Sequence, residues 1–312
     1  MTTIGSAATS LAVRRSLTTR HRDIGGLVFQ VLLLASLLFS LAILAILLVD
    51  VASRALPVFQ ARGLSFFTDQ LSADPARAGI AQGLMGTLLL GLLVPFFAFP
   101  IGIATAVYLE EYAPDNRLTR FISVNIRNLA GVPSVVYGLL GLTIFVAFFE
   151  LIGAGNGRNV LAAGVTLGVL VLPIVIITSA EALRAVPNTI REAGFGVGAS
   201  RWEVTRKLVL PAAVPGILTG TVLALARALG ETAPLLLVGA IVGGFSTPAD
   251  STLLDRITGT FTALPVTIFQ WAKQPVDAFR ALSAAAIVVL LVVTLFANAV
   301  AIVLRNRFER NW

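Results

Sequence analysis

Two residues of opposite charge, Arg227 and Glu231, interrupt a long hydrophobic stretch in the second half of the chain. A charged side chain near the middle of a membrane helix costs about 2.5–3.5 kcal/mol on insertion scales, so two of them suggest a function. Four residues apart, they share one face of a helix. The planar guanidinium of Arg227 is suited to binding an oxyanion. The alternative, which the sequence leaves open, is a mutual salt bridge that only neutralises the two charges.

Residues around this pair are further candidates for a ligand site. Gly230 and Pro234 can loosen the helix, so that backbone amides turn towards a ligand. Thr232, Ser134 and Tyr137 could add hydroxyl groups, and the alternative role of each is packing or a hydrogen bond back to its own helix.

The composition places these residues in a membrane protein. Of 312 residues, 57% are hydrophobic and 12% charged, and the mean hydropathy is +0.91, which is far more apolar than a soluble domain requires. The net charge of +7 is scattered between apolar runs and does not form the basic patch typical of nucleic-acid binding. The chain contains no cysteine, which excludes disulfides and thiolate metal sites.

Hydrophobic runs predict an all-α polytopic membrane protein with six transmembrane helices. The first run is uncharged for 26 residues, too long for the core of a cleavable signal peptide, and therefore predicts a retained span. Between a tail at 1–23 and a tail at 305–312, the predicted spans cover about 24–49, 80–108, 129–149, 160–180, 214–245 and 281–304.

The distribution of Lys and Arg predicts the orientation. With both termini in the cytoplasm, 15 of these residues lie on the cytoplasmic side and seven on the opposite side, as the positive-inside rule requires.

Small-residue pairs at four-residue spacing, which let membrane helices approach closely, recur in the spans: Gly79/Gly83, Gly164/Gly168, Gly216/Gly220 and Gly239/Gly243.

Residues 188–211, between the fourth and fifth spans, form a polar segment with a regular pattern. Apolar residues recur at helical spacing, and Gly194, Gly196 and Gly198 predict a turn between two short helices, with Pro211 ending the second. Placed in the cytoplasm, the segment could contact another protein. It could also lie flat on lipid as an amphipathic helix, although lipid adsorption does not require glycines at fixed spacing.

This segment resembles the EAA loop of importer-type ABC transporter permeases. Glu192 and Ala193 match the family pattern, Gly194 replaces its second alanine, and the rest of the pattern follows at Gly198, Ala199, Leu208, Leu210 and Pro211. The resemblance implies the type I ABC importer permease fold, in which this loop is a coupling helix that inserts into a groove of a separate ATPase subunit.

Three other stretches are similar to the permeases of phosphate importers, in particular to the PstA-type subunit. They are residues 224–237, 130–138 and 108–112. The resemblance implies a subunit that moves inorganic phosphate through the cytoplasmic (inner) membrane, together with a second permease of PstC type, an ATPase dimer of PstB type and an external binding protein of PstS type. Glu231 could then favour hydrogen phosphate over sulfate, because its carboxylate can accept a hydrogen bond from a P–OH group.

The chain itself predicts no enzyme and no cofactor site. A phosphate-binding P-loop ends in Gly-Lys-Ser/Thr, and the only lysines are Lys207, followed by leucine, and Lys273, followed by glutamine. ATP and Mg²⁺ are therefore expected on a partner chain. The alternatives are a permease for another oxyanion such as molybdate or sulfate, an intramembrane enzyme, for which a cysteine, an intramembrane histidine and an acidic pair are lacking, and a scaffold, which would need a larger soluble domain.

Overall fold

The computed structural model describes residues 24–240 and 258–308, and this part of the chain consists of helices and turns, with no strand. Six helices in it are long and apolar enough to cross a membrane, as predicted. The chain divides into two compact units, residues 1–50 and 51–312. The helices, numbered in chain order, are α1 (Ile24–Arg62), α2 (Ser65–Thr68), α3 (Ala81–Tyr112), α4 (Arg117–Ala130), α5 (Ser134–Leu151), α6 (Val160–Arg184), α7 (Asn188–Gly196), α8 (Arg201–Gly230), α9 (Ala233–Val238), α10 (Leu264–Ala272) and α11 (Asp277–Phe308).

The first unit consists, from Ile24 to Asp50, of the first part of α1. This is the uncharged run, in which leucine and alanine favour a helix. The predicted first span ends with the apolar run at residue 49, but α1 continues through Pro57 to Arg62.

The core of the second unit is built by α3, α6 and α8, which pack against one another. Among the six apolar helices, α6 is the most buried. Small residues allow this packing: a Cβ on Gly164 would lie 3.1 Å from Leu93 of α3, and a Cβ on Gly220 would overlap Thr178 of α6. Two of the predicted small-residue pairs thus lie at contacts between helices of this chain, while Gly243 lies outside the described residues.

A second cluster joins the last helices to the last part of α1 and to α2, which follows it. Trp271 of α10 and Phe279 of α11 are buried with Phe66 of α2 and with Ala55 near the end of α1. A hydrogen bond from Ser283 Oγ of α11 to the Ile268 carbonyl oxygen of α10, 3.2 Å long, also connects these two helices.

The third predicted span, 129–149, is wrong at its start. The helix begins at Ser134, and a separate amphipathic helix, α4, precedes it. Proline disfavours a helical backbone at the residue before it, here Val132, and Pro133 itself has extended geometry, with ψ of 137°. The chain is thus interrupted at residues 131–133 although its apolar character continues.

The fifth predicted span, 214–245, is wrong at both ends. The helix begins at Arg201 and ends at Gly230, because Glu231 adopts an extended backbone with φ −77° and ψ 125°. Residues 241–245 lie outside the described part of the chain. Pro211 does not end a helix: a π-helical turn at Thr205–Val209 precedes it, and α8 continues through it.

The helices of the second, fourth and sixth predicted spans, α3, α6 and α11, extend a few residues beyond their predicted ends. They end at Tyr112, Arg184 and Phe308 instead of about 108, 180 and 304. The predicted tail at 1–23 and residues 309–312 lie outside the described residues.

Candidate functional site

Arg227 and Glu231 form an ion pair at the point where α8 ends. Arg227 Nε donates to Glu231 Oε1 at 3.3 Å. The Arg227 side chain is 44% exposed and that of Glu231 18%, so the pair lies at the edge of the fold. The mutual salt bridge, one of the two interpretations of the sequence, is therefore formed. This salt bridge uses one of the five N–H donors of the guanidinium. Because Arg227 is partly exposed, an anion could reach the other donors.

The backbone beside this pair is interrupted, as the glycine and the proline predict. α8 ends at Gly230, Glu231 is extended, and α9 begins at Ala233 with Pro234 in its first turn. Proline is well tolerated there, because the first N–H groups of a helix have no intrahelical partner. In a membrane, such a break is stable only where it is buried in protein or lines an aqueous cavity.

The interruption after α8 lies near the one before α5. Gly138 lies four residues into α5, and a Cβ on it would be 2.8 Å from Pro234 Cα at the start of α9. Two broken helices thus meet beside the ion pair. Discontinuous helices of this kind form the substrate sites of several transporter folds.

Of the three candidate hydroxyl residues, the structure assigns a partner to Tyr137. Tyr137 is buried, and its hydroxyl donates to the Leu129 carbonyl oxygen at 2.8 Å, which ties α5 to the end of α4. Ser134 is the first residue of α5 and Thr232 the residue before α9, and both are half-buried.

Residues 188–211 form two helices joined by a tight turn, as predicted. The turn depends on Gly198, whose φ of +82° lies in the left-handed region, where a side chain is strained. Its N–H donates to the Phe195 carbonyl oxygen at 2.9 Å. Ser200 then starts α8 with a capping box, in which Ser200 N–H donates to Glu203 Oε2 at 3.1 Å.

Gly194 is the contact point between α7 and α8. A Cβ at this position would lie 2.7 Å from Val204 Cγ2 and 2.9 Å from Leu208 Cδ1, so the glycine permits an approach that alanine would hinder. Ala199 and Leu208 pack on the cluster below this contact, Leu210 is half-buried, and Pro211 is exposed on the outer side of α8.

The outer face of this segment exposes apolar side chains. Phe195 is 48% exposed, Trp202 58% and Val197 85%, and Glu192 and Ala193 lie exposed beside them. The Arg206 guanidinium carbon lies 5.9 Å from the centre of the Trp202 ring. An apolar surface rimmed by charges is typical of a protein contact site.

Two adjacent carboxylates in the stretch 108–112 form ion pairs, one with this segment and one with the end of α6. Glu111 Oε1 accepts from Arg191 Nη2 at 2.7 Å, and Glu110 Oε1 lies 3.0 Å from Arg184 Nε. The sequence marks these carboxylates by the family resemblance of residues 108–112, but it does not indicate their partners, which lie more than 70 residues away in the chain.

Comparison with protein families shows which class of molecule carries these features. Residues 98–310 match the family described as binding-protein-dependent transport system inner membrane component. The chain belongs to this family. It is an ABC transporter permease and a multi-pass inner-membrane protein, and its family resemblance, predicted from residues 188–211, is confirmed.

Two relatives show how far the likeness of the permease extends. It is 34% identical to the phosphate transport system permease protein PstA of Yersinia pestis over 275 residues, 87% of this chain and 86% of that one. It is 37% identical to YqgH of Bacillus subtilis, a probable ABC transporter permease protein, over 167 residues. That match covers 53% of each chain, so the permease spans about half the length of this relative.

A solved structure shows the same fold at low sequence identity. The permease superposes with a TM-score of 0.58 on a bacterial ABC transporter involved in the import of the acidic polysaccharide alginate, covering 93% of this chain and 100% of that one. The identity is 16%. The predicted type I ABC importer fold is therefore confirmed, and the fold alone does not indicate the substrate.

Proposed function

We propose that the chain is a permease subunit of an ATP-driven importer that moves inorganic phosphate across the cytoplasmic membrane by alternating access. The observation that carries this proposal is the partly exposed Arg227–Glu231 pair where two interrupted helices meet. The likeness to PstA supports phosphate as the substrate. The guanidinium of Arg227 by itself would also attract other tetrahedral oxyanions, and molybdate and sulfate are therefore the competing substrates.

Arg227 is the residue that binds the anion in this proposal. Its remaining N–H donors can form two parallel hydrogen bonds to a phosphate, while Nε stays on Glu231. Glu231 holds the guanidinium in place and accepts a hydrogen bond from the P–OH group. Thr232, Ser134 and Tyr137 line the path, with Tyr137 acting through the helix break that its hydroxyl stabilises.

The segment 188–211 is the coupling site for the ATPase. Its exposed apolar residues, Phe195, Val197 and Trp202, fit a hydrophobic groove on a partner protein. That partner, an ATPase dimer of PstB type, binds ATP and Mg²⁺. A second permease of PstC type and an external phosphate-binding protein of PstS type complete the importer, and both termini of this chain lie in the cytoplasm.

Radiolabelled phosphate uptake in vesicles that contain the complete importer tests the proposal. We expect Arg227→Gln to lose most uptake, because glutamine cannot offer the charged planar fork. Arg280→Gln is the matched control, since Arg280 also pairs along one helix, 3.2 Å from Asp277 Oδ1, but at the start of α11. Normal phosphate uptake by an assembled Arg227→Gln complex would contradict the proposed site.

The same assay identifies the substrate. Unlabelled phosphate should suppress the uptake of labelled phosphate, while equal concentrations of sulfate and molybdate leave it unchanged. Transport of molybdate or sulfate in place of phosphate would assign the chain to another oxyanion importer.

A further inference from the structure

Arg191 of α7 and Glu111 in the last turn of α3 form a largely buried ion pair. Arg191 Nη2 lies 2.7 Å from Glu111 Oε1, and Arg191 Nε lies 3.3 Å from the same oxygen and 3.5 Å from Oε2. The two side chains are only 18% and 9% exposed. Since a hydrogen bond between two charged groups is strong when water is excluded, this contact fixes α7 to the end of α3.

The same guanidinium also binds the end of α6 and the turn that follows it. Arg191 Nη2 donates to the carbonyl oxygen of Leu183, in the last turn of α6, at 2.9 Å, and Nη1 donates to the carbonyl oxygen of Val186, two residues after the helix, at 2.7 Å. The last carbonyl groups of a helix have no intrahelical partner and favour a cation. One side chain on the coupling segment thus holds the ends of two core helices.

A second contact between the coupling segment and α3 lies directly beside this pair. The Arg201 guanidinium carbon at the start of α8 lies 5.5 Å from the centre of the Tyr112 ring. Helices α7 and α8 therefore contact consecutive residues of α3, on both sides of the turn at Gly198. This last part of α3, Tyr108–Tyr112, is a π-helical turn, an irregularity that often marks a functional position in a helix.

The neighbouring pair, Glu110 with Arg184, differs in what it connects. It joins α3 to the end of α6 and does not involve α7, and Arg184 is half exposed. Exposed pairs contribute little stability. The two adjacent carboxylates of α3 thus offer a comparison between a contact that includes the coupling segment and one that does not.

We propose that Glu111 and Arg191 form the joint through which a displacement of α7 by the ATPase moves α3. This inference rests on the proposed coupling function of residues 188–211. α3 packs along α6 and α8 in the core of the permease, so its movement rearranges the helices beside the Arg227–Glu231 pair. Arg191 and Glu111 are positioning residues in this mechanism and do not contact the substrate.

The ratio of ATP hydrolysed to phosphate delivered tests the joint. It is measured in proteoliposomes with the complete importer and phosphate-loaded binding protein. We expect Glu111→Ala to raise this ratio by on the order of tenfold, the change that the loss of a hydrogen bond between charged groups produces in an equilibrium. Glu110→Gln should keep the wild-type ratio. A wild-type ratio in Glu111→Ala would overturn the proposal.

Two further variants separate the joint from a general loss of structure. Arg191→Lys keeps the charge but not the planar fork, and it should restore part of the coupling lost in Arg191→Ala. The double variant Glu111→Ala/Arg191→Ala should have the same ratio of ATP hydrolysed to phosphate delivered as Arg191→Ala alone. The effects of two substitutions are not additive when the residues act as one unit. If the two substitutions raised this ratio independently, so that their effects added in the double variant, the proposal would be overturned.

Assembly of the variants is checked first by co-purification of all subunits. If Glu111→Ala does not assemble, the near-isosteric Glu111→Gln replaces it, with a raised ratio again expected. Failure of both variants to assemble would make Glu111 a structural residue and overturn the joint. A wild-type complex that hydrolyses ATP without moving phosphate would instead contradict the proposed substrate, so the two failures are distinguishable.

Discussion

Arg227 contacts Glu231 across the end of α8, with Nε 3.3 Å from Oε1, so that the acid lies on the C-terminal side of the base. This order is the less favourable one for a stabilising pair along a helix. Glu231 avoids the conflict because it is no longer helical. The break in the helix therefore both presents the pair to the surface and relieves its unfavourable order.

Glu231→Gln should reduce the discrimination between phosphate and sulfate. A carboxylate accepts a hydrogen bond from the P–OH group and repels the fully ionised sulfate, whereas the neutral amide does neither as strongly. Competition of labelled phosphate uptake by sulfate measures the effect, with Asp277→Asn as a control at a distant ion pair. Unchanged discrimination with normal phosphate flux would contradict the role of Glu231.

Gly194→Ala should weaken the packing of α7 on α8 by about 1–3 kcal/mol, the usual cost of overpacking. The new methyl group would approach Val204 Cγ2 at 2.7 Å. The weakened packing is measured by thermal unfolding of the complex and by the amount of ATPase that stays bound during purification. Gly196→Ala is the control, since a Cβ there meets no atom within 4 Å. The second substitution Val204→Ala should restore ATPase binding to Gly194→Ala, and its failure to do so would contradict this contact.

Gly220→Ala should lower the unfolding temperature of the complex by several degrees. Its Cβ would overlap the side chain of Thr178, so α8 and α6 would have to separate. Gly168→Ala is the appropriate comparison, because its Cβ would lie 3.7 Å from Phe97 Cβ, an ordinary contact. Equal unfolding temperatures for the two variants would contradict the close approach of α6 and α8.

Val197→Cys should react with a membrane-impermeant thiol reagent from the cytoplasmic side only, and the ATPase subunit should protect it. Val197 is 85% exposed in the turn of the coupling segment, and the chain has no other cysteine. Leu151→Cys, equally exposed at the end of α5, should react from the opposite side. Labelling of Val197→Cys from outside would contradict both the orientation and the coupling site.

The sequence predicts much of this fold because hydrophobic runs and glycine patterns are local signals. The six spans, the turn at Gly198 and the proximity of Arg227 to Glu231 all depend on residues close together in the chain. The break before Ser134 was missed because the apolar run continues through it, although Gly131 and Pro133 mark it. The pair Glu111–Arg191 could not be predicted in this way, since 80 residues separate its members.

The continuity of α8 was also missed, because proline usually ends or bends a helix. The π-helical turn at Thr205–Val209 absorbs the irregularity just before Pro211. The helix that Ser200 and Glu203 cap therefore continues into the apolar part of the protein, with no loop between its polar start and its apolar part.

This uninterrupted helix has a mechanical consequence. Trp202 and Arg227 stand on one rod, about 37 Å apart at 1.5 Å per residue. A continuous helix resists bending better than a loop, so a displacement near Trp202 at its start would also displace Arg227 near its end. In the proposed importer, nucleotide binding by the ATPase would therefore affect the anion site through one helix.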